Sequence, residues 1–359
     1  MKKFLLLFCL IIVGFLPAKT LKKENQQNSN LPKIAIITTG GTIAEKIDPK
    51  TGAAIPAVSG DDLINSVPQL KKMAQYVVIN FSNIDSSQMT PEIWLNLSKK
   101  VDEVLIEKDI IGAIVTHGTD TMTEGAYFLD ISLKTNKPVV FTGAMRAASD
   151  PYPDGPPNLI NSVAQILSPH SKNWGVTINM NQYINSSRSA EKTQTTNPQT
   201  FESGEKGYLG YVVDQQVFRF NDRLYRMHLP RPEKLPKVDI IFEYAGFDGS
   251  FIRESVKNGA KGIVVESVGA GNVNEPTFQA IQEAINQGVI VVITSRAYWG
   301  SVLPLYGDEG GGESLNRIGA ILGGNLRAPK ARLLLMLAIP YTDNNHDAIK
   351  KLFSFPYNI

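Results

Sequence analysis

Two loops rich in glycine and threonine are the parts of this 359-residue chain best suited to chemistry. Residues 38–44 follow the apolar run at 34–37. Residues 116–122 follow a second apolar run at 110–115. Small hydroxyl side chains and exposed backbone amides can attack a carbonyl carbon and stabilise the resulting oxyanion. Because ligands bind at the carboxyl ends of strands in an open parallel sheet, we expect the two loops to share one site.

Three residues of these loops are candidates for chemistry. Thr42 lies just beyond the first strand, after two glycines that let the backbone approach a ligand closely. Thr119 and Asp120 lie in the second loop, after His117. The alternative for each loop is a tight turn whose Thr or Asp caps the next helix. Two such loops in one sheet favour the shared site, whereas we expect His117 to be a packed structural residue.

Two further segments contain candidate site residues. Residues 85–89, Asp-Ser-Ser-Gln-Met, offer hydroxyls and an amide that suit a carboxylate ligand, with helix capping as the alternative. Residues 189–196 place Lys192 beside Thr193. A buried lysine with a lowered pKa can help to deprotonate a hydroxyl, whereas a solvated surface lysine cannot.

Composition and missing motifs exclude several classes of function. Hydrophobic residues make up 43% and charged residues 19% of the chain, as in ordinary globular proteins. The four histidines lack metal-ligand spacing, and no nucleotide-binding glycine motif or G-x-S-x-G elbow occurs. The net charge is +2, without a basic segment that suggests a nucleic acid. We therefore predict no metal, no cofactor and no nucleic-acid partner.

The elements that must position these loops alternate between β-type and helical patterns. Strands are predicted at 33–38, 76–80, 110–116, 138–142 and 175–178. Helices are predicted at 91–107, with Thr90 as N-cap and Pro91 first, and at 123–133 and 157–167. The alternation predicts an α/β fold with a larger N-terminal, mostly parallel sheet and helices on both faces.

A second α/β block follows a segment rich in proline and basic residues. Residues 221–237 are predicted to link a catalytic domain at 31–220 to a smaller parallel α/β domain at 238–359. The predicted elements of the smaller domain are strands at 238–242, 262–266 and 289–294 and helices at 251–258, 275–287 and 329–338. The length of the chain fits two domains.

The N-terminus has the pattern of a secretory signal peptide. Lys2 and Lys3 precede an apolar run at 4–16 and a small residue, Ala18, which predicts a signal at 1–18 and a polar tether at 19–30. An uncleaved anchor is the alternative. Cleavage would remove Cys9, the only cysteine, and two positive charges, so that +2 − 2 leaves 0. We expect a secreted, periplasmic protein without a thiol and without membrane contact after cleavage.

Taken together, these segments resemble the bacterial L-asparaginase/glutaminase family from about residue 31 to the C-terminus. The two threonine loops carry the resemblance, supported by Gly143-Ala144-Met145-Arg146, Lys192-Thr193 and the later segments 310–313 and 329–332. The signal sequence resembles the secreted type II branch, whereas residues 85–87 resemble the cytoplasmic type I branch.

The resemblance implies a role for each matching residue. Thr42 corresponds to the nucleophile that forms an acyl-enzyme with the substrate carboxamide carbon. Thr119, Asp120 and Lys192 correspond to the group that activates water and relays protons, and Asp120 also to the residue that holds the substrate ammonium. The remaining implied substrate contacts are Ser86, Ser87, the Ala144 backbone, and Asn272 and Glu313 from a neighbouring subunit. The implied assembly is a homotetramer, a dimer of dimers, without a cofactor. The implied substrate is L-asparagine, with L-glutamine as an alternative.

The chain departs from the type II pattern at the loop after the first motif. That branch carries a tyrosine there, but Ala53 and Ala54 follow Thr51-Gly52 and no tyrosine occurs from 42 to 70. Tyr152 is one candidate replacement. Two other hypotheses remain open: a secreted amino-acid-binding protein of the same fold with weak or lost catalysis, and the amide-hydrolysing subunit of a tRNA-linked amidotransferase. The signal peptide argues against the second.

Overall fold

The protein folds around two sheets, an eight-stranded one in the N-terminal half and a four-stranded one in the C-terminal half. The computed structural model describes residues 31–51, 54–56, 59–223 and 226–354. The signal peptide, the polar tether and Ala53 lie outside the described residues. The described strands are β1 Lys33–Thr38, β2 Glu45–Ile47, β3 Ala54–Pro56, β4 Gln75–Asn80, β5 Ile110–Thr116, β6 Val139–Thr142, β7 Val176–Met180, β8 Tyr183–Ser186, β9 Glu191–Lys192, β10 Phe201–Glu202, β11 Gly210–Val213, β12 Gln216–Arg219, β13 Val238–Phe242, β14 Gly262–Ser267, β15 Ile290–Ser295 and β16 Ile321–Leu322.

The large sheet has the order β12-β11-β8-β7-β6-β5-β1-β4. Its part from β7 to β4 is parallel, whereas β8, β11 and β12 are joined antiparallel at the other edge. β1, β5 and β6 are buried almost throughout because helices cover both faces, which explains their continuous apolar sequences. The predicted mostly parallel sheet is confirmed.

Helices complete the layers around both sheets. The described helices are α1 Gly60–Asn65, α2 Pro91–Leu105, α3 Met122–Ser132, α4 Gly155–Leu167, α5 Ser250–Lys257, α6 Glu275–Asn286, α7 Gly312–Arg317, α8 Ala328–Tyr341 and α9 His346–Ser354. α1 and α4 pack on one face of the large sheet, and α2 and α3 on the other. Thr90 caps α2 as predicted, since its side chain accepts a hydrogen bond from the Ile93 N–H.

The small sheet is parallel throughout, in the order β13-β14-β15-β16. One face packs on α5 and α6 and the other on α8. α8 also contacts α3, so one apolar cluster runs from the large sheet through α3 and α8 to the small sheet. None of the described helices is both long and apolar enough to cross a membrane.

The segment between the two sheets packs on the N-terminal half. Arg231 forms an ion pair with Asp102 of α2, with 2.7 Å between Nη1 and Oδ2. The Leu229 N–H donates to the Ile131 carbonyl at 2.7 Å. The described part of residues 221–237 is thus held by ion pairs and backbone hydrogen bonds rather than solvated along its length.

Candidate active site

Three loops at the carboxyl ends of β1, β4 and β5 interlock through glycines. A Cβ on Gly40 would lie 2.5 Å from the Ile84 nitrogen, and one on Gly41 would lie 2.3 Å from the Gly118 Cα. A Cβ on Gly118 would lie 2.7 Å from the Ser86 hydroxyl oxygen. Each glycine therefore allows a backbone approach that a side chain would block. This packing brings the first loop, the second loop and residues 85–89 together, as the sequence predicts.

Hydrogen bonds from Thr39 fix the same junction. Its backbone N–H and its hydroxyl both donate to the Thr116 carbonyl, at 3.1 and 2.9 Å. Its carbonyl accepts from the Ile84 N–H at 3.0 Å and from the Ser82 hydroxyl at 2.9 Å. The β1 loop is thus bonded to the loops of both neighbouring strands, which limits how far Thr42 can move relative to them.

Thr42 begins a single 3₁₀ turn, Thr42–Ala44, that continues into β2. The turn has no side-chain cap, so the helix-capping interpretation of Thr42 is wrong. Its hydroxyl instead hydrogen-bonds to the carboxyl group of Glu45, which also shares a hydrogen bond with Asp85. Burial and the neighbouring Asp85 raise the pKa of Glu45 above its ordinary value. Tyr152, the candidate replacement for the loop tyrosine, is 78% exposed.

Thr119, Asp120 and Lys192 form a connected cluster. The Lys192 Nζ donates to the Thr119 hydroxyl at 3.0 Å and to Asp120 Oδ1 at 2.6 Å. Thr119 is buried, and the Lys192 and Asp120 side chains are 17% and 66% exposed. Lys192 is therefore mostly buried and held by two side chains rather than fully solvated, and the carboxylate of its partner Asp120 is exposed.

A second, buried lysine holds the strand that carries Lys192. Lys330 of α8 is 1% exposed, and its Nζ donates to the Arg188 carbonyl at 3.1 Å, to the Ala190 carbonyl and to Glu191 Oε1 at 2.9 Å. A buried cation is stable only when its donors are satisfied, as these three acceptors ensure. The C-terminal half thus fixes the backbone immediately before Lys192.

The serine and alanine candidates lie at the same edge of the sheet. Ser86 is buried, and its hydroxyl oxygen accepts from the Asp120 N–H at 3.2 Å, whereas Ser87 is exposed. Ala144 is buried in the loop after β6. That loop is held by Asp154, whose carboxylate accepts the Met145 N–H at 3.0 Å.

Asn272 and Glu313 belong to the C-terminal half. Asn272 follows β14, where its backbone pairs with Val268, and its Oδ1 is buried without a hydrogen-bond partner among the described residues. Glu313 lies in the first turn of α7 and its N–H donates to the Tyr306 carbonyl at 2.9 Å. Within the described residues of one chain, we find no contact that brings either residue to the Thr42 or Lys192 clusters.

His117 is a structural residue, as predicted. It is fully buried, its Nε2 accepts from the Trp94 indole N–H at 3.2 Å, and its Nδ1 bonds to the Gly118 carbonyl at 2.7 Å. Burial lowers the pKa of His117 to about 4, so the ring is neutral at pH 7. Both ring nitrogens are occupied. Among the described residues, no cluster of three His, Cys, Asp or Glu side chains could hold a metal ion.

The comparison with known proteins decides the family. The family model described as "Asparaginase, N-terminal" matches residues 33–225, and "Glutaminase/Asparaginase C-terminal domain" matches residues 237–353. The chain belongs to the asparaginase family. It is 35% identical to L-asparaginase 2 of Bacillus subtilis, over 89% of this chain and 85% of that one. It is 36% identical to L-asparaginase 2 of Escherichia coli, over 90% and 93%.

A solved asparaginase has the same fold. The probable cytoplasmic L-asparaginase from Campylobacter jejuni superimposes with a TM-score of 0.82 at 38% identity, covering 90% of this chain and 99% of that one. A probable periplasmic L-asparaginase of Haemophilus influenzae is 36% identical over 88% of this chain. These matches identify an enzyme of the asparaginase family and disfavour the binding-protein hypothesis. The names of these relatives include both a periplasmic and a cytoplasmic enzyme, so the secretion of this chain stays a proposal.

The sequence predicts neither the contact of Glu45 with Thr42 nor the hydrogen bonds from Lys330 to the backbone before Lys192. Thr42-Ile43-Ala44-Glu45 has the T-x-x-E spacing of a capping box, a signal that points to contact between the first and last side chains. Lys330 lies in segment 329–332, which resembles the family, but the burial of a lysine cannot be recognised from its neighbours in sequence.

Proposed function

We propose that this enzyme hydrolyses the side-chain amide of L-asparagine to L-aspartate and ammonia through an acyl-enzyme on Thr42. The observation that carries the proposal is the junction of three loops that gathers Thr42, Ser86 and the Thr119–Asp120–Lys192 cluster at one edge of the sheet. The names of the relatives support the substrate. L-Glutamine is the second substrate to be tested.

The reaction needs two displacements at one carbon. Thr42 Oγ attacks the carboxamide carbon, the C–N bond breaks and ammonia leaves with the proton it has gained. A water then attacks the ester, and its proton passes through the Thr119 hydroxyl to Thr42 Oγ as the bond between Oγ and the acyl carbon breaks. The Lys192 Nζ, which donates a hydrogen bond to Thr119, holds that hydroxyl in place. The second attack returns Thr42 to its hydroxyl form and releases aspartate.

The proposed substrate contacts follow from the resemblance to the family. The exposed Asp120 carboxylate binds the substrate ammonium, and Ser86 and Ser87 bind its carboxylate. The Ala144 backbone faces the departing carboxamide. Asn272 and Glu313 complete the site of a neighbouring subunit in a homotetramer built as a dimer of dimers. We also propose that residues 1–18 direct secretion to the periplasm, which cell fractionation tests.

The test uses the protein that begins at Lys19 with two variants. Ammonia release from L-asparagine and from L-glutamine is measured separately, and quenched samples are analysed by mass spectrometry for an aspartyl ester. Thr42→Ala should lose turnover and form no ester. Lys192→Met should turn over slowly and accumulate the ester on the peptide that contains Thr42. Wild-type turnover by Thr42→Ala would refute the nucleophile.

A further inference from the structure

The backbone of the 3₁₀ turn directs the Glu45 side chain onto Thr42. In a 3₁₀ turn, side chains three residues apart lie one above the other. The Glu45 N–H donates to the Thr42 carbonyl and closes that turn, so the two side chains share a face, and the Thr42 hydroxyl bonds to the Glu45 carboxyl group. Glu45 is only 5% exposed. A buried acid therefore contacts the hydroxyl that attacks the substrate.

A second acid supports the first. Asp85 precedes the 3₁₀ turn Ser86–Gln88 but does not cap it with its side chain. Its carboxyl group instead hydrogen-bonds to that of Glu45. Burial and this neighbouring carboxyl group both raise the pKa of Glu45, because they disfavour its charged form. Asp85 is exposed to solvent, whereas Glu45 is buried.

The candidate site contains two hydrogen-bonded clusters, one around Thr42 and one around Thr119. Lys192 bonds to Thr119 and Asp120, with no recorded bond to Thr42 among the described residues. The segment from 42 to 70 contains no tyrosine that could contact Thr42. Within the described residues, Glu45 is the ionisable side chain recorded in contact with the Thr42 hydroxyl.

We propose that Glu45 is the catalytic base of the acylation step and that Asp85 positions its carboxyl group; this inference rests on the proposed role of Thr42. As the Thr42 Oγ–C bond forms, the Thr42 O–H bond breaks and its proton moves to the Glu45 carboxylate. When the C–N bond breaks, that proton moves to the departing nitrogen and ammonia leaves. Glu45 returns to its starting form, and no further reactant is consumed.

The charged groups around Glu45 determine how the base titrates. Asp85 is the acid that faces it, and burial adds to the effect of Asp85 in raising the pKa of Glu45. Lys46 is exposed and acts on Asp62 instead. The paired strand β3 contains Ala, Ile and Pro and no ionisable side chain, and the Ala148 N–H donates to the Glu45 carbonyl at 3.2 Å.

The first experiment measures acylation alone. In the Lys192→Met background the ester on Thr42 accumulates, and its rate of formation is followed by quenched-flow mass spectrometry with L-asparagine. Adding Glu45→Gln keeps the size and one hydrogen-bond acceptor but removes the base, so ester formation should slow by about 10²- to 10⁴-fold. Asp61→Asn, an exposed acid of α1, is the matched control and should leave the rate unchanged.

The second experiment follows the acidic limb of the pH profile of kcat/KM. Asp85→Asn removes the negative charge that raises the pKa of Glu45, so Glu45 should stay ionised at lower pH and the acidic limb should move to lower pH. A residue that only packs against Thr42 would leave that limb in place. This variant also serves if Glu45→Gln does not fold.

The outcomes separate the two proposals. If Lys192→Met accumulates no ester, the proposed function fails, whatever Glu45 does. If the ester forms at the same rate with and without Glu45→Gln, or if the limb does not move in Asp85→Asn, Thr42 keeps its role and Glu45 is not the base. Slower ester formation together with the shifted limb establishes Glu45 as the base.

Discussion

Replacement of Gly41 by alanine tests whether the interlocked loops set the reaction geometry. Gly41 has φ +82°, and an added Cβ would lie 2.3 Å from the Gly118 Cα, whereas ordinary contact begins at 3.4 Å. The loops that carry Thr42 and Thr119 must therefore separate by about 1 Å. A displacement of that size costs about 10²-fold in rate when it misaligns reacting groups, which is about 2.7 kcal/mol of barrier.

The strain of the positive φ must be separated from the displacement. A side chain in such a backbone conformation costs about 1–3 kcal/mol of stability by itself. Gly246 provides the matched control, because it has φ +85° with nothing within 4 Å of an added Cβ. Gly246→Ala should be destabilised by strain alone and keep its turnover.

The assay is ammonia release from L-asparagine, with thermal unfolding of both variants as the measure of stability. We expect Gly41→Ala to lose about 10²-fold in kcat, and Gly246→Ala to match the wild-type rate. If Gly41→Ala kept more than a third of wild-type kcat while folded, the close approach of the two loops would not control the alignment of Thr42.

Two further predictions concern buried groups. Lys330→Met should lower the free energy of unfolding by about 3–5 kcal/mol, because Glu191 is left without its buried partner. It should also lower kcat, because the backbone before Lys192 loses its support, whereas Lys350→Met at an exposed position should change neither quantity. Denaturant titration measures the stability and ammonia release measures kcat; an unchanged kcat would show that Lys330 does not position Lys192. His117 binds a proton less readily in the folded state, at a pKa of about 4, than at the ordinary value of 6.5, so stability should fall by about 3 kcal/mol as pH drops from 6.5 to 4. The slope should be missing in His117→Gln, and an equal slope in both proteins would contradict the burial argument.

The parallel part of the fold could be predicted because its strands are buried on both faces. β1 and β5 have the predicted bounds, since long apolar runs before glycine-rich loops have few other interpretations. The short strands β8 to β12 were not predicted, because two to four residues carry too little periodicity. The short helices α1 and α7 and the C-terminal helix α9 were missed in the same way.

The candidate site could be predicted where the contact is local or lies on neighbouring parallel strands. Thr42, Ser86 and Thr119 each follow a strand, and parallel strands bring their ends to one edge. Lys192 lies on the short strand β9, and its distance from Thr119 depends on loop paths that no pattern encodes. The link from Lys330 to Glu191 crosses 139 positions of sequence, which single-sequence reasoning cannot detect.

The position of α8 has a consequence for synthesis on the ribosome. This helix is buried nearly all round, between α3 on one side and the small sheet on the other. Residues 328–341 follow every strand of both sheets in the chain, so until they are translated α3 and the inner face of the small sheet lack their apolar cover. Domains generally fold from the N-terminus as they emerge. Here the N-terminal half cannot complete its packing before residues 328–341 have emerged, and a nascent chain stalled before residue 328 exposes an apolar surface that can bind other chains.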